Sequence, residues 1–324
     1  MLIREPDFYR AFSCIAGRCP DSCCKEWDVA VDEEKAAFYR ALPGALGDKL
    51  RKALMDEDGT TYLTLEQGRC PMWREDGLCR IQAELGEDAL CKTCREFPRL
   101  THDYGAFVEK GLELSCPEAA HLMLSQDRWN WIATGQPEEG GEEANADMAL
   151  LLQTRETAMA LTQEEQPLST LLLYGIYVQE LLDGVEETPF DPAAIPDFPG
   201  NGNMDEFLQV FRNLEILTPG WKARLDVPKP RKLQREDRAM LRYLISRYHL
   251  QAISDFELAA RMKMLTAEVL LVCLLGGSPV ETAQLMSKEI ENDAENVDAL
   301  LDGAYTLPGL TDGNLLALFR QVEG

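Results

Sequence analysis

Nine of the ten cysteines in this 324-residue chain fall between Cys14 and Cys116, and thiols at that density restrict the local fold more than any hydrophobic pattern does. The spacing is C-x4-C-x3-C-C at Cys14, Cys19, Cys23 and Cys24, followed by Cys70, Cys79, a C-x2-C pair at Cys91 and Cys94, and finally Cys116. Thiols on one tight turn reach a common centre at little extra loop-closure entropy. Pro20, Pro71 and Pro117 each follow a cysteine directly and keep the backbone there out of helix interiors. Residues 1–134 are therefore expected to form a cysteine-rich metal-binding region of short helices and loops with minor β structure. All nine thiols are candidate ligands.

Soft thiolates select iron–sulfur centres and zinc. A zinc ribbon usually shows two C-x2-C knuckles, whereas this chain has one, and its three histidines do not fall at knuckle spacing. Nine thiols suit one or two 4Fe-4S clusters better, with zinc or metal-free reactive thiols as alternatives. The competing reading, cysteine as a small buried apolar residue, suits Cys273 inside the run LTAEVLLVCLLGG. It suits the other nine poorly, since they stand beside Pro, Arg and Asp. Arg18, Lys25, Arg69, Arg80, Lys92, Arg95 and Arg99 lie within a few residues of thiols, where cations offset thiolate charge.

The formal net charge is −24, with 17 basic and 24 acidic side chains in residues 1–134 and a net −17 in the remainder. Such a balance argues against coating nucleic acid or an anionic lipid surface, which depends on Lys and Arg displacing counterions. The start, MLIREPDFYRAF, lacks the apolar core of a secretory signal, and the longest apolar run is too short to span a bilayer. A reducing cytoplasmic setting is expected, with no membrane or nucleic-acid partner. The sequence is silent on oligomeric state.

Apolar residues at Phe38, Ala41, Leu42, Leu46 and Leu50 recur near helical spacing, while TTYLTLE (60–66) and GAFVEKGLELS (105–115) read as strands. Residues 114–131 return to a helical pattern, with Pro117 suited to a first turn. Residues 135–147 read as an acidic linker or loop, and 188–203 as a Pro/Gly-rich connection. Long periodic stretches at 148–162, 168–184 and 204–217, and from 236 to the end, predict an α-helical domain over 148–324. Gly276-Gly277 ends one helix there and Ser278-Pro279 starts the next. The expected fold class is mainly α.

The runs FSCIAGRCPDSCCKEWDVAVD, CPMWREDGLCRIQAELGEDALCKTCREFPR and LELSCPEAA together resemble the flagellin lysine-N-methylase family, related to the CxxCxxCC group of zinc- or iron-chelating proteins. RYLISRY and ELAARMKMLTAEVLLV are also similar to that family. The resemblance implies methyl transfer from S-adenosylmethionine to lysine amines of flagellin, and an iron–sulfur centre held by the cysteines. No glycine-rich motif follows a strand, so a Rossmann-type cofactor pocket is not expected. Cys19-x3-Cys23 is followed directly by Cys24, which departs from the C-x3-C-x2-C run of ordinary radical enzymes of that cofactor. Either an open iron binds the cofactor or the cluster braces the fold.

A lysine amine with a pKa near 10.4 must lose its proton before a polar methyl transfer. His102, Asp103 and Tyr104, which follow CREFPR, are candidate proton acceptors, and Arg95 and Arg99 are candidate cofactor contacts. Two other functions fit the same residues: a non-enzymatic zinc- or iron–sulfur-binding protein that docks a partner, and a redox or electron-transfer protein.

Overall fold

The computed structural model describes residues 1–136, 146–185, 188–191 and 198–323. Most of the acidic 135–147 segment and part of the 188–203 connection lie outside them. The described residues hold fourteen α-helices and seven short strands, so the chain is mainly α as expected. No helix among them is long and apolar enough to cross a membrane.

The strands are β1 (Leu2–Pro6), β2 (Val29–Val31), β3 (Leu54–Glu57), β4 (Thr60–Leu63), β5 (Arg99–Asp103), β6 (Phe107–Leu112) and β7 (Trp131–Thr134). They form two sheets, in the orders β5-β6-β1-β7 and β2-β4-β3. β1 runs parallel to β6 with Leu2 opposite Phe107, and all the other pairs are antiparallel. The strands read at 60–66 and 105–115 are thus present as β4 and β6.

Two packed cores divide the chain at places other than residue 134. The smaller gathers Val29, Val31, Tyr39, Leu50, Leu63, Met72, Ile81, Leu90 and Cys91 around the three-stranded sheet. The larger begins with Phe8 and Phe12, resumes with Phe107, Leu112 and Leu114, and continues through the C-terminal helices. The cysteine-bearing segment, about residues 13–97, is therefore an insertion between β1 and β5 of a sheet that packs on the helical body. Such a partition is hidden from a linear reading because β1 finds its neighbour about a hundred residues downstream.

In the helical body, the expected stretches appear as helices Ala146–Leu161, Pro167–Leu182, Met204–Arg212, Arg235–Tyr248, Leu258–Leu275, Pro279–Met286 and Asp312–Glu323. Leu258–Leu275 is buried along its whole length, and Cys273 within it is fully buried, as a packing residue should be. Gly276 ends this helix at φ +66°, and a Cβ there would stand 2.1 Å from the Lys229 carbonyl oxygen. Ser278 caps the next helix through Glu281 N.

The sheet is joined to the helices by a buried ion pair. Arg155, fully buried, donates from its two terminal nitrogens to Glu109 on β6 at 2.7 and 2.8 Å. Breaking one half of such a pair strands a charge in the interior. Glu109→Gln is expected to lower unfolding free energy by about 3–5 kcal/mol in urea titrations.

Next to this pair, His249 is fully buried beside the Thr154 hydroxyl at 3.1 Å. Burial depresses its pKa to about 3. The unfolded chain gains this proton near the ordinary value of about 6.5, so stability is intact above that pH. Stability then falls as the pH drops from about 6.5 toward 3, by up to about 1.4 kcal/mol per pH unit from this group. His249→Gln should flatten the wild-type slope over that window in urea titrations at stepped pH.

Candidate thiol centre and junction cavity

Local backbone bonds fold the cysteine segments toward one another. Cys70 N donates to the Cys24 carbonyl at 2.8 Å, and Arg80 N to that of Met72 at 2.7 Å, which brings Cys24, Cys70 and Cys79 into one neighbourhood. The C-x2-C turn is tied to β2 because Asp32 accepts from Lys92 N at 2.7 Å and Thr93 Oγ1 donates to the Ala30 carbonyl at 2.8 Å. Cys79, Cys91 and Cys116 each occupy the N-cap position of a helix, where free backbone N–H groups favour a thiolate.

Electrostatic coupling shows which thiols are neighbours. Cys24 feels Cys23, Cys70 and Cys79, and Cys94 feels Cys91, Cys24 and Cys70. Cys19 feels Cys14 and Cys23, and Cys116 feels Cys19 and Cys23. Eight of the nine predicted ligands thus form a six-thiol group (Cys23, Cys24, Cys70, Cys79, Cys91, Cys94) with Cys19 and Cys116 beside Cys23. Cys14 lies next to Cys19. Among the described residues no three Cys, His, Asp or Glu side chains stand in metal-coordination geometry.

The thiols are not equivalent. A hydrogen bond from Cys24 holds the Cys23 thiol down at about 7 and raises Cys24 itself. Cys94 does the same for Cys91, also at about 7, and is itself raised. Burial pushes Cys70 and Cys116 up to about 11, and raises Cys79 and Cys19. In each pair one thiol is therefore more acidic than its partner.

A cavity of about 370 Å³ opens where the cysteine lobe meets the helical body. The lobe contributes Cys23, Trp27, Asp28, Cys94 and Phe97, with Trp27 and Phe97 tilted at 5.8 Å between ring centroids. The body contributes Glu113, Arg247 and Glu291. Glu291 is held rigidly: Tyr243 Oη and Tyr248 Oη donate to it at 3.1 and 3.0 Å, and Arg247 Nε lies 3.3 Å away. Arg247 also donates to Tyr243 Oη at 2.8 Å. Glu113 accepts from Ser115 Oγ at 3.2 Å, and burial raises its pKa.

The predicted proton acceptors and cofactor contacts do not line this cavity. His102, on β5, faces a separate hollow of about 30 Å³ that shares Arg247 as wall, and burial lowers its pKa. Tyr104 stacks near His102 at 6.3 Å, and its hydroxyl is buried without a partner. Asp103 is exposed and accepts from Gly105 N at 2.9 Å, closing a turn. Arg95 and Arg99 are exposed, with Arg99 over the Phe12 ring at 5.3 Å. The polar wall comes instead from RYLISRY and from residue 291. In sequence these read as a helical stripe, and only the unusual pair of Tyr-Arg contacts to one carboxylate marks them.

The chain matches no protein-family model and no solved structure. Among curated proteins, the flagellar biosynthetic protein FliU of Salmonella muenchen is 36% identical over 130 residues, covering 38% of this chain and 77% of FliU. Proteins named lysine-N-methylase from Salmonella typhimurium and Salmonella choleraesuis are 35% and 36% identical over 130 residues, again 38% of this chain. That matched stretch spans 32% of each, about a third of their length. Identity at this level across most of FliU, joined to the shared likeness to the two methylases, places this chain in the flagellin lysine-N-methylase family.

Proposed function

We propose that this protein is an S-adenosylmethionine-dependent protein lysine N-methyltransferase acting on flagellin-like substrates, with its reaction site in the junction cavity and an iron–sulfur centre held by the neighbouring thiols. The observation that supports this reading most is the shared wall: Cys23 and Cys94 belong both to the thiol group and to the cavity that holds Glu113, Glu291, Trp27 and Phe97.

The donor set suits a soft metal centre. It is made of thiols alone, drawn from four segments, with two pairs in hydrogen-bond contact. Cys23, Cys24, Cys70, Cys79, Cys91 and Cys94 would hold the centre nearest the cavity, with Cys14, Cys19 and Cys116 available to a second.

The cavity suits two cationic reactants. S-adenosylmethionine, when bound, supplies an electrophilic methyl on a sulfonium. Carboxylates at Glu113 and Glu291 and the aromatic faces of Trp27 and Phe97 attract both that cation and the acceptor ammonium. Arg247 offers a guanidinium to a carboxylate group. Glu113 and Glu291 are the groups placed to receive the amine proton, after which the nitrogen lone pair can attack. This polar chemistry needs no radical, so the thiol centre's place beside the cavity is one of shaping and charge.

Protein reconstituted with iron and sulfide without oxygen, then given S-adenosylmethionine and lysine-bearing flagellin, should yield methyl mass increments on lysine. Their absence across flagellin and other lysine-bearing proteins would overturn the reading. Glu113→Gln and Glu291→Gln should each lower the transfer rate by roughly 10²–10⁴-fold at unchanged iron content. The double change Cys23→Ser, Cys24→Ser should abolish iron retention, read by metal analysis.

A further inference from the structure

Lys288 is a buried cation contributed by the helical body to the cysteine lobe. Only 1% of its side chain is exposed, and its Nζ lies 2.9 Å from Asp21 Oδ2, 2.5 Å from Glu26 Oε2 and 5.3 Å from the centre of the Trp27 ring. Asp21 and Glu26 bracket Cys23 and Cys24, and Trp27 follows at once. These ion pairs link segment 13–97 to the chain beyond residue 146.

The backbone around Lys288 is unusual as well. Ser287–Glu291 forms a π-helical turn, with Asn292 N donating to the Ser287 carbonyl at 3.3 Å. Such turns are rare and cluster at functional sites. Three residues of this turn make the relevant contacts. Lys288 grips the thiol turn, Glu289 accepts from Leu217 N at 2.8 Å and anchors the turn to the body, and Glu291 forms part of the cavity wall.

We propose that Lys288 is a positioning residue: its ammonium clamps the turn 21–27 against the helical body and so sets Cys23 and Trp27 on the wall of the junction cavity. This assignment rests on the proposed reaction site for its functional meaning, but its geometry stands independently. With the ammonium removed, the Glu26 carboxylate would face the body unpaired and Asp21 would keep only its pairing to Lys25. They would turn toward water, drawing Cys23 and Trp27 off the cavity wall. Lys25 pairs with Asp21 at 2.9 Å from within the turn, so it stabilises the turn's own shape without fixing it to the body.

The test uses the full chain as reduced thiol protein and needs no activity. Each cysteine is alkylated at short times and quantified by mass spectrometry in wild type, Lys288→Met and Lys288→Arg. Lys288→Met should speed labelling at the half-buried Cys24 by at least roughly tenfold, while Cys70 and Cys91 in the small core and Cys273 in the large core keep their wild-type rates. Lys288→Arg should restore most of the protection. An unchanged pattern in Lys288→Met, or an equal rise at all of these cysteines, would overturn the proposal. If Lys288→Met does not fold, Glu26→Gln, which leaves Asp21 to pair with Lys288, should show the same local labelling to a smaller degree, and no local change there counts against the clamp.

In the methyl-transfer assay, Lys288→Met should raise KM for the protein substrate and lower kcat, with Lys288→Arg close to wild type. A wild-type protein without transfer activity would sink the functional reading alone, because the labelling pattern would still decide the clamp.

Discussion

The cysteine lobe brings thiols from four separated segments into one neighbourhood around a small apolar core. Its buried members are few, and two of them, Cys70 and Cys91, are themselves thiols. Every local choice in the lobe serves this convergence. Asp32 draws the C-x2-C helix onto β2, Cys79 and Cys91 cap short helices, and the Cys24 carbonyl receives Cys70 N. Burial raises the Cys70 and Cys79 thiols, and a hydrogen bond with Cys91, with burial added, raises Cys94.

The insertion of that lobe into a larger sheet explains why its position can be controlled. The chain leaves the body at Phe12, which packs in the large core, and returns at Phe97, which packs against both Trp27 and that core. Two covalent crossings give a hinge line, and two crossings alone would let the lobe tilt. The Lys288 contacts add a further attachment between lobe and body. Lys288 is buried while Asp21 and Glu26 are partly exposed, so removing the ammonium would leave carboxylates facing the body at a partly desolvated junction.

The helical body was largely readable from the sequence because its signals are local. Period, proline and glycine placed the helices ending at Leu275 and starting at Pro279, and the setting of Cys273 in an apolar run marked it as a packing residue. The grouping of the other nine cysteines was equally plain. β1, β2, β3, β5 and β7 were not legible: each has three to five residues, too few for a period, and β1 owes its pairing to a partner about a hundred residues away. The cavity was illegible for the same reason. Its walls come from residues 23–30, 93–97, 113, 247 and 291, and no window of sequence holds more than a fraction of them. His102, Asp103 and Tyr104 looked attractive because they follow a cysteine motif, but a strand alternates its side chains, and β5 turns Asp103 to solvent and His102 to a different hollow.

The polar wall shows why chemistry would sit at the junction instead of within either part. A carboxylate used against a cation in a low-dielectric site must be held in place beforehand, or its reorganisation consumes the electrostatic gain. Glu291 meets that condition, since Tyr243, Tyr248 and Arg247 fix it from the body side. The body alone leaves this wall facing open space, while the lobe alone offers thiols and aromatic rings with no fixed carboxylate frame beside them. Closing the two together produces a site that is acidic, aromatic and thiol-lined at once. Its geometry then depends on how well Lys288, in the π-helical turn, holds a thiol loop in register with Glu291, three residues further along the same turn.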